Sequence, residues 1–354
     1  LISDQQYFIF SEIFSTVCTC VSVLGCLGNL VTIRTFISMG VKDGVTLSFV
    51  FLTVSDLAYL VAMAAHAVAL GLYVLERKGA YKVWFPVEPF GVYVFFSNVG
   101  ILLYLLTMMT TTFLAVVRCM CVAMPLKFMN VFTKKSSILI LSVFFVIAVA
   151  SYFPILVFMR MVTEFDERVN ATRSVLWISP RRDKVKEAVW ISRDVAVTFV
   201  TQVIVTVCVI VMVKSLRTAA KFRQNFANIL TPSKPTFQKN LQIFSVLDIN
   251  GNGPGQKEHE TPSAEKNNIA YSNKLSLKDM SVVKQVVLIS VVYIVCNTPK
   301  ILVDVTAMFV SDFTLGKSYQ NLYLVVISLM ELSQALNSSS SIIIYYRYNS
   351  RFRK

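Results

Sequence analysis

Charged residues are scarce in this sequence. Only 15% of its 354 residues are charged, whereas a soluble globular protein carries about 25%. Hydrophobic residues make up 55% of the chain, and the mean hydropathy is +0.62. A surface this apolar suits lipid rather than water, so we divide the length into membrane spans and not into soluble domains.

Cysteine and histidine are absent from the places where a disulfide framework or a metal centre would need them. All seven cysteines fall inside hydrophobic segments, and the only two histidines are His66 and His259. We therefore expect no outer disulfide framework and no protein-ligated metal centre. The sequence also shows no Ser/His/Asp or Cys/His constellation, so we expect no enzymatic activity, no cofactor and no nucleic-acid partner.

Long hydrophobic runs are abundant. A bilayer core of about 30 Å requires about 20 largely apolar residues in a helix. Seven runs meet this requirement, at 8–36, 45–72, 90–122, 138–158, 195–213, 282–309 and 319–346. They predict an all-α fold, in which residues 1–354 form a single seven-helix transmembrane domain.

The polar segments between these runs predict the orientation of the chain. The longest, 218–280, is predicted to be a largely disordered third cytoplasmic loop, and the basic residues just before its centre predict an extension of the fifth helix. Basic residues gather at the ends of the runs that lie on the same side as this loop, and such an excess of Lys and Arg is typical of the cytoplasmic side of a membrane. Asn170-Ala171-Thr172, in a loop at the other end, is a glycosylation pattern that is used only outside. We therefore expect a multi-pass plasma-membrane protein with its amino end outside.

Four charged residues lie away from the ends of the hydrophobic runs, in the middle of the predicted spans: Asp56, Lys300, Asp304 and Glu331. A charge inside a membrane span costs several kcal/mol, so each should have a partner or a role. Polar residues of other spans could surround Asp56 in one bundle, and they are Asn29, Thr107, Asn337, Ser338 and Ser341. The cluster predicts a sodium site. The alternative is a hydrogen-bonded network that only holds the helices together.

Short patterns occur in chain order on the predicted helices. They are Asn29 in GNLV, Leu52 with Asp56, Val117-Arg118-Cys119, Cys296-Asn297-Thr298-Pro299, Asn337-Ser338 with Tyr345, and Phe352-Arg353. Together they resemble the markers of rhodopsin-like (class A) G protein-coupled receptors. Some positions depart from that family: Val117 and Cys119 flank the arginine in place of Asp and Tyr, and Asn297 replaces the tryptophan of the sixth-helix switch.

The resemblance implies an extracellular ligand, a heterotrimeric G protein as partner and a surrounding lipid bilayer. It also implies that Arg118, Pro299 and Tyr345 act in activation, and that 347–354 begin a short cytoplasmic eighth helix. Because Val117 replaces the usual acid, Asp279 becomes the expected partner of Arg118. The rival class is a seven-span transporter or channel, which would predict an inverted repeat or paired broken helices.

Phrases such as RCMCVAMPLKF and ALNSSSSIIIYY are most similar to invertebrate peptide and gastropod chemosensory receptors. The usual disulfide of the family is missing, since Tyr93 stands at the third-helix position, so we expect a mobile second outer loop. Gly100 stands where amine receptors carry an acid, which disfavours monoamines. No lysine lies near Ala335 to hold retinal.

The ligand is then expected in the outer half of the bundle, with Lys300, Asp304, Glu331 and Gly100 at its site. Lys300 and Asp304 are four residues apart on one helix, so they could pair only with each other and be structural. If Glu331 competes for Lys300, the site presents both signs of charge to a small polar or zwitterionic molecule or a short peptide. Arg193 and Asp194 are weaker candidates, at the rim of the site.

Overall fold

The described residues form seven long helices. The structure is a computed structural model, and it describes residues 2–41, 43–78, 85–123, 133–167, 170–180, 182–230 and 277–348. The helices are α1 (Asp4–Met39), α2 (Gly44–Lys78), α3 (Pro89–Ala123), α4 (Lys134–Val157), α5 (Thr198–Leu230), α6 (Leu277–Phe309) and α7 (Gln320–Tyr348). Each one contains most of one predicted hydrophobic run.

Local sequence signals set several helix ends. The Ser3 hydroxyl accepts a hydrogen bond from the Gln6 backbone N–H at 3.3 Å, and the Gln6 side chain accepts one from the Ser3 N–H at 3.0 Å. This reciprocal pair satisfies donors that the first turn of α1 would otherwise leave free. Gly40 ends α1 with a φ of 79°, a conformation that glycine adopts without steric cost. Thr133 caps α4, where its hydroxyl accepts a hydrogen bond from the Ser136 N–H at 3.2 Å.

Six helices in the described part of the chain are long and apolar enough to cross a membrane, and α7 is the long helix outside that set. Glu331 and the polar stretch 337–341 lower its hydropathy. These polar side chains lie within the bundle, since Glu331 is 7% exposed and Ser341 is 3% exposed. Leu336 and Ile343 are exposed on the opposite side of α7. The seventh predicted span is therefore a helix with a polar inner face and an apolar outer face.

The bundle has an apolar outer surface and a mixed interior. Large side chains such as Leu24, Leu139 and Ile343 are exposed, whereas buried polar residues such as Asp56 and Asn297 lie within. This distribution is the one a lipid environment favours. α3 lies near the centre, where it packs against α2, α4, α5 and α6. α1 and α7 approach closely at Gly25, where an added Cβ would collide with Ser339.

Two strands interrupt the helical fold between α4 and α5. β1 (Met159–Asp166) and β2 (Ala171–Ile178) pair antiparallel, in a register that runs from Met159 opposite Ile178 to Asp166 opposite Ala171. A short helix (Arg182–Val189) and a π-helical segment (Trp190–Val197) then lead into α5. We call the end of the bundle that carries these strands the hairpin end. The sequence analysis treated this segment as an outer loop and predicted no strands in it.

The hairpin is anchored to α2 and α3, although the sequence led us to expect a mobile loop. Arg173 of β2, 4% exposed, forms an ion pair with Glu76 of α2 at 2.5 Å. The Ser174 N–H donates to the carbonyl of Pro86 at 3.1 Å, and its carbonyl accepts from the Glu88 N–H at 2.9 Å. The Leu176 N–H also donates to the Glu88 carboxylate at 3.3 Å. These contacts hold β2 where the resemblance noted in the sequence would imply a disulfide.

The helix after the fifth run extends beyond the predicted boundary of the third loop. α5 continues to Leu230, so 218–230 are helical, which confirms the extension of the fifth helix that the basic sequence before the centre of the loop predicts. Lys214, Arg217 and Lys221 are exposed on this extension. Residues 231–276 and 349–354 lie outside the described part of the chain, and with them most of the predicted loop and most of the predicted eighth helix.

Candidate ligand cavity and buried polar clusters

A cavity of about 540 Å³ opens among the helices at the hairpin end. The four residues predicted for the ligand site all line it: Gly100, Lys300, Asp304 and Glu331. Its other charged residues are Arg182, Arg193 and Asp194, and its tyrosines are Tyr7, Tyr59, Tyr73, Tyr93, Tyr104, Tyr152 and Tyr323. The cavity therefore combines aromatic walls with three acidic and three basic side chains.

Lys300 and Asp304 pair with each other along α6. The Lys300 ammonium donates to the Asp304 carboxylate at 3.0 Å, and both residues are 7% exposed. The pair begins directly after Pro299, which removes one backbone N–H from the helix. Glu331 does not compete for Lys300 in the structure, since its ion-pair contact is with His66. The i,i+4 pairing anticipated from the sequence is thus present, while the competition is not.

Arg193 and Asp194 form a second pair in the π-helical segment. The Arg193 guanidinium donates twice to the neighbouring carboxylate, from Nε at 2.7 Å and from Nη2 at 2.6 Å. It also lies over the Tyr152 ring, 4.2 Å from the ring centroid. The sequence analysis placed both residues at an exposed rim, but they are 6% and 9% exposed. The pair lies in the π-helical segment that leads into α5, and both residues line the cavity.

His66 is a residue of this cavity region that the sequence analysis did not select. Its Nδ1 lies 3.3 Å from the carbonyl oxygen of Tyr93, and its Nε2 lies 3.2 Å from a carboxylate oxygen of Glu331. Its ring centroid is 4.4 Å from that of Tyr93, and the residue is fully buried. The signal in the sequence was the presence of one histidine and one glutamate in separate apolar spans, since such residues need partners.

The Asp56 cluster assembles from four helices. Asp56 is 2% exposed and accepts hydrogen bonds from the hydroxyls of Thr107 at 3.0 Å and Ser341 at 3.3 Å. Asn29 donates to the backbone carbonyl of Ser338 at 3.0 Å. Asn337 is buried on the same turn of α7, where its carbonyl accepts a hydrogen bond from Ser340. A carboxylate with neutral hydroxyl oxygens is a ligand set that suits a hard monovalent cation.

A polar contact joins α5 to α6 at the position where the family resemblance leads us to expect tryptophan. Asn297 donates to the side-chain oxygens of Gln202 and Tyr293, both at 3.3 Å. Gln202 also donates to the carbonyl of Ile294 at 3.2 Å, and the hydroxyls of Tyr293 and Thr201 are 3.1 Å apart. We call these four side chains, Thr201, Gln202, Tyr293 and Asn297, the α5–α6 latch. Of these, Asn297 and Tyr293 lie on α6 within two turns of Pro299.

Two of the predicted activation residues, Arg118 and Asp279, lie towards the opposite end of the bundle. Arg118 is 8% exposed, and its neighbour Val117 packs with Phe113 and Leu141 in an apolar cluster. A carboxylate at position 117 would therefore be buried among apolar side chains. Asp279 belongs to α6, but its side chain lies outside the described part of the chain, so its pairing with Arg118 stays a prediction.

Tyr345 of α7 is fully buried near this end. Its ring meets Phe36 of α1 and Phe49 of α2 edge-on, with centroid distances of 5.2 and 5.6 Å. Such edge-to-face contacts are worth about 0.5–1.5 kcal/mol each beyond the area they bury. Tyr345 is thus part of an aromatic cluster that joins α7 to the first two helices.

Comparison with known proteins decides the family. The chain matches the family model of the seven-transmembrane receptors (rhodopsin family) over residues 28–337. This chain belongs to the rhodopsin family. Among solved structures, the crystal structure of squid rhodopsin matches this receptor with a TM-score of 0.57 and 13% sequence identity, over 99% of this chain and 84% of that one. At that identity the likeness shows the fold alone. Comparison with curated proteins gave no match.

Family membership confirms the seven-helix class and makes this chain a G protein-coupled signalling receptor of the plasma membrane rather than an enzyme. It gives no support to the rival class of transporter or channel. The similarity to a rhodopsin does not imply bound retinal, because α7 contains no lysine with which retinal could form a Schiff base.

Proposed function

We propose that this receptor binds a small zwitterionic molecule, or the end of a short peptide, in the cavity at the hairpin end. The observation that carries the proposal is the set of six charged side chains, three of each sign, in one cavity. Burying charge is costly unless it is paired, so a region with this many charges is expected to be functional. The resemblance to invertebrate peptide and chemosensory receptors agrees with such a ligand.

The arrangement of charges in the cavity favours one orientation of such a ligand. The wall formed by the short helix, the π-helical segment and α6 carries Arg182, Arg193 and Lys300 against Asp194 and Asp304, an excess of one positive charge. The wall formed by α2 and α7 carries Glu331 beside His66. An anionic group therefore suits the first wall and an ammonium group suits Glu331. The volume of about 540 Å³ lies within the range of small-molecule sites, roughly 300–1,000 Å³.

The hairpin end is the extracellular end in this proposal, with the amino terminus outside. Asn170 is exposed at the turn between β1 and β2, the kind of position where an oligosaccharide is attached. Exposed Lys214, Arg217 and Lys221 lie at the other end, as the positive-inside rule requires of the cytoplasmic side. Digestion of surface receptor with a glycosidase should change its gel mobility, and Asn170→Gln should remove that change. Wild-type receptor that is unaffected by the enzyme would contradict glycosylation at this site.

The Asp56 cluster is proposed to bind sodium, with Asn29, Thr107, Asn337, Ser338 and Ser341 around it. A cation would offset the cost of a carboxylate whose hydrogen-bond donors, Thr107 and Ser341, are neutral. Asp56→Asn keeps the hydrogen-bonding shape and removes the charge, so it should abolish the effect of sodium on agonist affinity. Potassium at equal ionic strength is the control. Wild-type affinity that is the same in both salts would contradict the site.

The proposed signalling step is a population shift in which ligand binding favours an outward position of the cytoplasmic half of α6. Pro299 gives α6 a flexible point, Tyr345 fixes α7, and Arg118 contacts the G protein. In the resting state Asp279 is proposed to hold Arg118.

The ligand class is tested by nucleotide exchange on a heterotrimeric G protein with matched compounds. γ-Aminobutyrate, butyrate and n-butylammonium share a carbon chain and differ only in their charged ends, and a dipeptide series extends the length. Zwitterions should activate at concentrations at least tenfold below those of their single-charge analogues. Glu331→Lys should abolish this response at matched surface expression. Lys317→Glu changes an exposed charge between α6 and α7 and should leave the response unchanged. Equal potency of the three charge types would contradict the proposal.

A further inference from the structure

We propose that His66 and Glu331 form a proton-exchange site, which holds one proton between them and releases it when the ammonium group of a ligand binds Glu331. The inference rests on the proposed function, since it concerns the same cavity. It adds the chemical class of the group that Glu331 accepts, a hydrogen-bonding ammonium, and it assigns His66 as a residue that determines specificity.

The hydrogen-bond geometry requires the proton. A carbonyl oxygen only accepts, so the Nδ1 that lies 3.3 Å from the Tyr93 carbonyl must carry a hydrogen. In a neutral ring with that tautomer, Nε2 is an acceptor, and it would face the Glu331 carboxylate lone pair to lone pair at 3.2 Å. One proton between the two groups removes this repulsion. The pair is then an imidazolium with a carboxylate or an imidazole with a carboxylic acid, and its net charge is zero in both forms.

The two residues differ in access to the cavity. Glu331 lines the cavity, whereas His66 is fully buried behind it on α2. An entering ammonium would therefore meet the carboxylate first. With the proton still present, the ligand would bring a second positive charge to a pair that is already neutral, in a region where Coulomb interactions are strong. Loss of the proton leaves a neutral imidazole and a free negative charge on the Glu331 carboxylate, which can then pair with the ammonium group of the ligand.

Other groups near the pair do not titrate in the same range. Those that interact electrostatically with Glu331 are phenols and one thiol: Tyr7 and Cys18 of α1, Tyr59 of α2, Tyr93 of α3 and Tyr323 of α7. Tyr73 of α2 lies close to Tyr7 and Tyr93. Phenols and thiols ordinarily titrate at about pH 8.5–10. Across the cavity on α6, Lys300 and Asp304 are paired. Among the described residues, His66 is thus the imidazole at this wall, and imidazole is the side chain that ordinarily exchanges a proton near neutral pH.

The tyrosines indicate the rest of the ligand class. Tyr59, Tyr93 and Tyr323 line the cavity near Glu331, and their ring faces favour an organic cation with an apolar stem. A primary ammonium can also donate hydrogen bonds to the carboxylate. A quaternary ammonium cannot, so it should exchange less well for the proton.

The proton is tested first, on purified receptor without ligand. If the folded receptor holds this proton and the unfolded chain does not, stability falls as the pH rises through the range of the pair. The thermal midpoint of wild type should decrease from pH 6 to pH 8. His66→Gln, whose amide donates where Nε2 does but does not titrate, should give a flatter profile. Glu12→Gln removes a half-exposed acid that pairs with Lys78 and should retain the wild-type slope. His66→Asn, which keeps a donor for Tyr93, serves if His66→Gln does not fold.

The exchange is tested with n-butylammonium, and sodium butyrate is the matched control. Coupling to one proton predicts up to a tenfold decrease in the dissociation constant for each unit of pH increase. His66→Gln should bind n-butylammonium with little dependence on pH, and Glu331→Gln should not bind it. Identical stability profiles of wild type and His66→Gln would overturn the proposal, as would wild-type binding that is absent or independent of pH. If either of these results is found but a zwitterion still activates the receptor, only the proton exchange is wrong and the proposed function is unaffected. If binding of n-butylammonium depends on pH but none of the tested zwitterions activates the receptor, only the proposed function is contradicted.

Discussion

The two regions of the bundle hold their buried carboxylates differently. At the hairpin end, Asp194, Asp304 and Glu331 each lie within 3.2 Å of a basic side chain. Nearer the other end, Asp56 accepts hydrogen bonds from the hydroxyls of Thr107 and Ser341. A carboxylate with a cationic partner is already neutralised and can exchange that partner for a ligand group. A carboxylate whose hydrogen-bond donors are neutral hydroxyls is not neutralised by them, and in our proposal a small cation takes that role.

The difference indicates separate tasks for the two regions. The hairpin end offers charges that a ligand can rearrange, in a cavity that is open enough to admit it. The region between Asp56 and Tyr345 is closely packed and joins several helices, which suits the transmission of a change rather than its recognition. The following changes test this division, from the largest expected effect to the smallest.

Removal of one partner from a cavity pair should have the largest effect. Asp194→Ala would leave the Arg193 guanidinium, which is 6% exposed, without its bidentate carboxylate. Breaking a buried pair in this way costs about 3–5 kcal/mol. The free energy of unfolding, or the thermal midpoint as its proxy, should fall accordingly. The double change Arg193→Met with Asp194→Leu should recover most of the loss, because it leaves no buried charge. A double variant as unstable as Asp194→Ala would contradict this reading of the pair.

The anchor of the hairpin should have an intermediate effect. Arg173→Ala removes the ion pair with Glu76, and the hairpin should open locally at a cost of about 1–3 kcal/mol, since the remaining carboxylate is largely buried. Hydrogen exchange of the β2 amides should accelerate by about tenfold or more. Exchange in the part of α3 that follows Gly100, away from the hairpin, should not change. Arg160→Ala alters an exposed arginine that stacks on Trp177 in the same hairpin and serves as the control. Unchanged β2 exchange in Arg173→Ala would show that the hydrogen bonds of Ser174 and Leu176 hold the loop without the ion pair.

The α5–α6 latch should have a smaller effect on stability and a visible one on signalling. Asn297→Leu removes two side-chain hydrogen bonds and should cost about 1–2 kcal/mol. If the latch holds α6 in the resting position, basal nucleotide exchange should increase several-fold at matched expression. Thr298→Val changes a hydroxyl that bonds within α6 alone and is the control. A decrease in basal exchange would show that the latch belongs to the active state.

The proposed Arg118–Asp279 restraint should have the smallest effect on stability. Asp279 lies in the first turn of α6, and an ion pair at the water-facing end of a helix contributes about 0–1 kcal/mol, so Asp279→Ala should increase basal signalling by no more than about fivefold. Val117→Asp, which would place an acid next to Arg118, is a poor reverse test because Val117 is buried with Phe113 and Leu141. Lys284→Ala, an exposed change on α6, is the control. Basal exchange in Asp279→Ala that is equal to or below wild type would remove Asp279 from the switch.

The sequence was sufficient for the features that hydrophobic periodicity and short motifs encode. The seven helices, the i,i+4 pair of Lys300 and Asp304, and the contacts of Asp56 with Thr107 and Ser341 all depend on spacing along helices or on family patterns. Partners brought together by tertiary packing could not be predicted. His66 and Glu331 are on α2 and α7, and nothing in either segment selects the other. The burial of Arg193 and the strands β1 and β2 depend in the same way on how the hairpin packs over the bundle.

The central claim is that the charges of the cavity recognise a ligand and do more than hold helices in place. Its most direct test is the reciprocal exchange Lys300→Asp with Asp304→Lys, which preserves the ion pair on α6 and reverses its direction. Both the exchanged receptor and the single variant Lys300→Asp would be assayed for nucleotide exchange with the most potent zwitterion of the panel, at matched surface expression. The account predicts that the exchange restores expression and thermal stability to near wild type but leaves agonist potency at least tenfold weaker. Restored potency together with restored expression would show that the pair is structural and would contradict the claim.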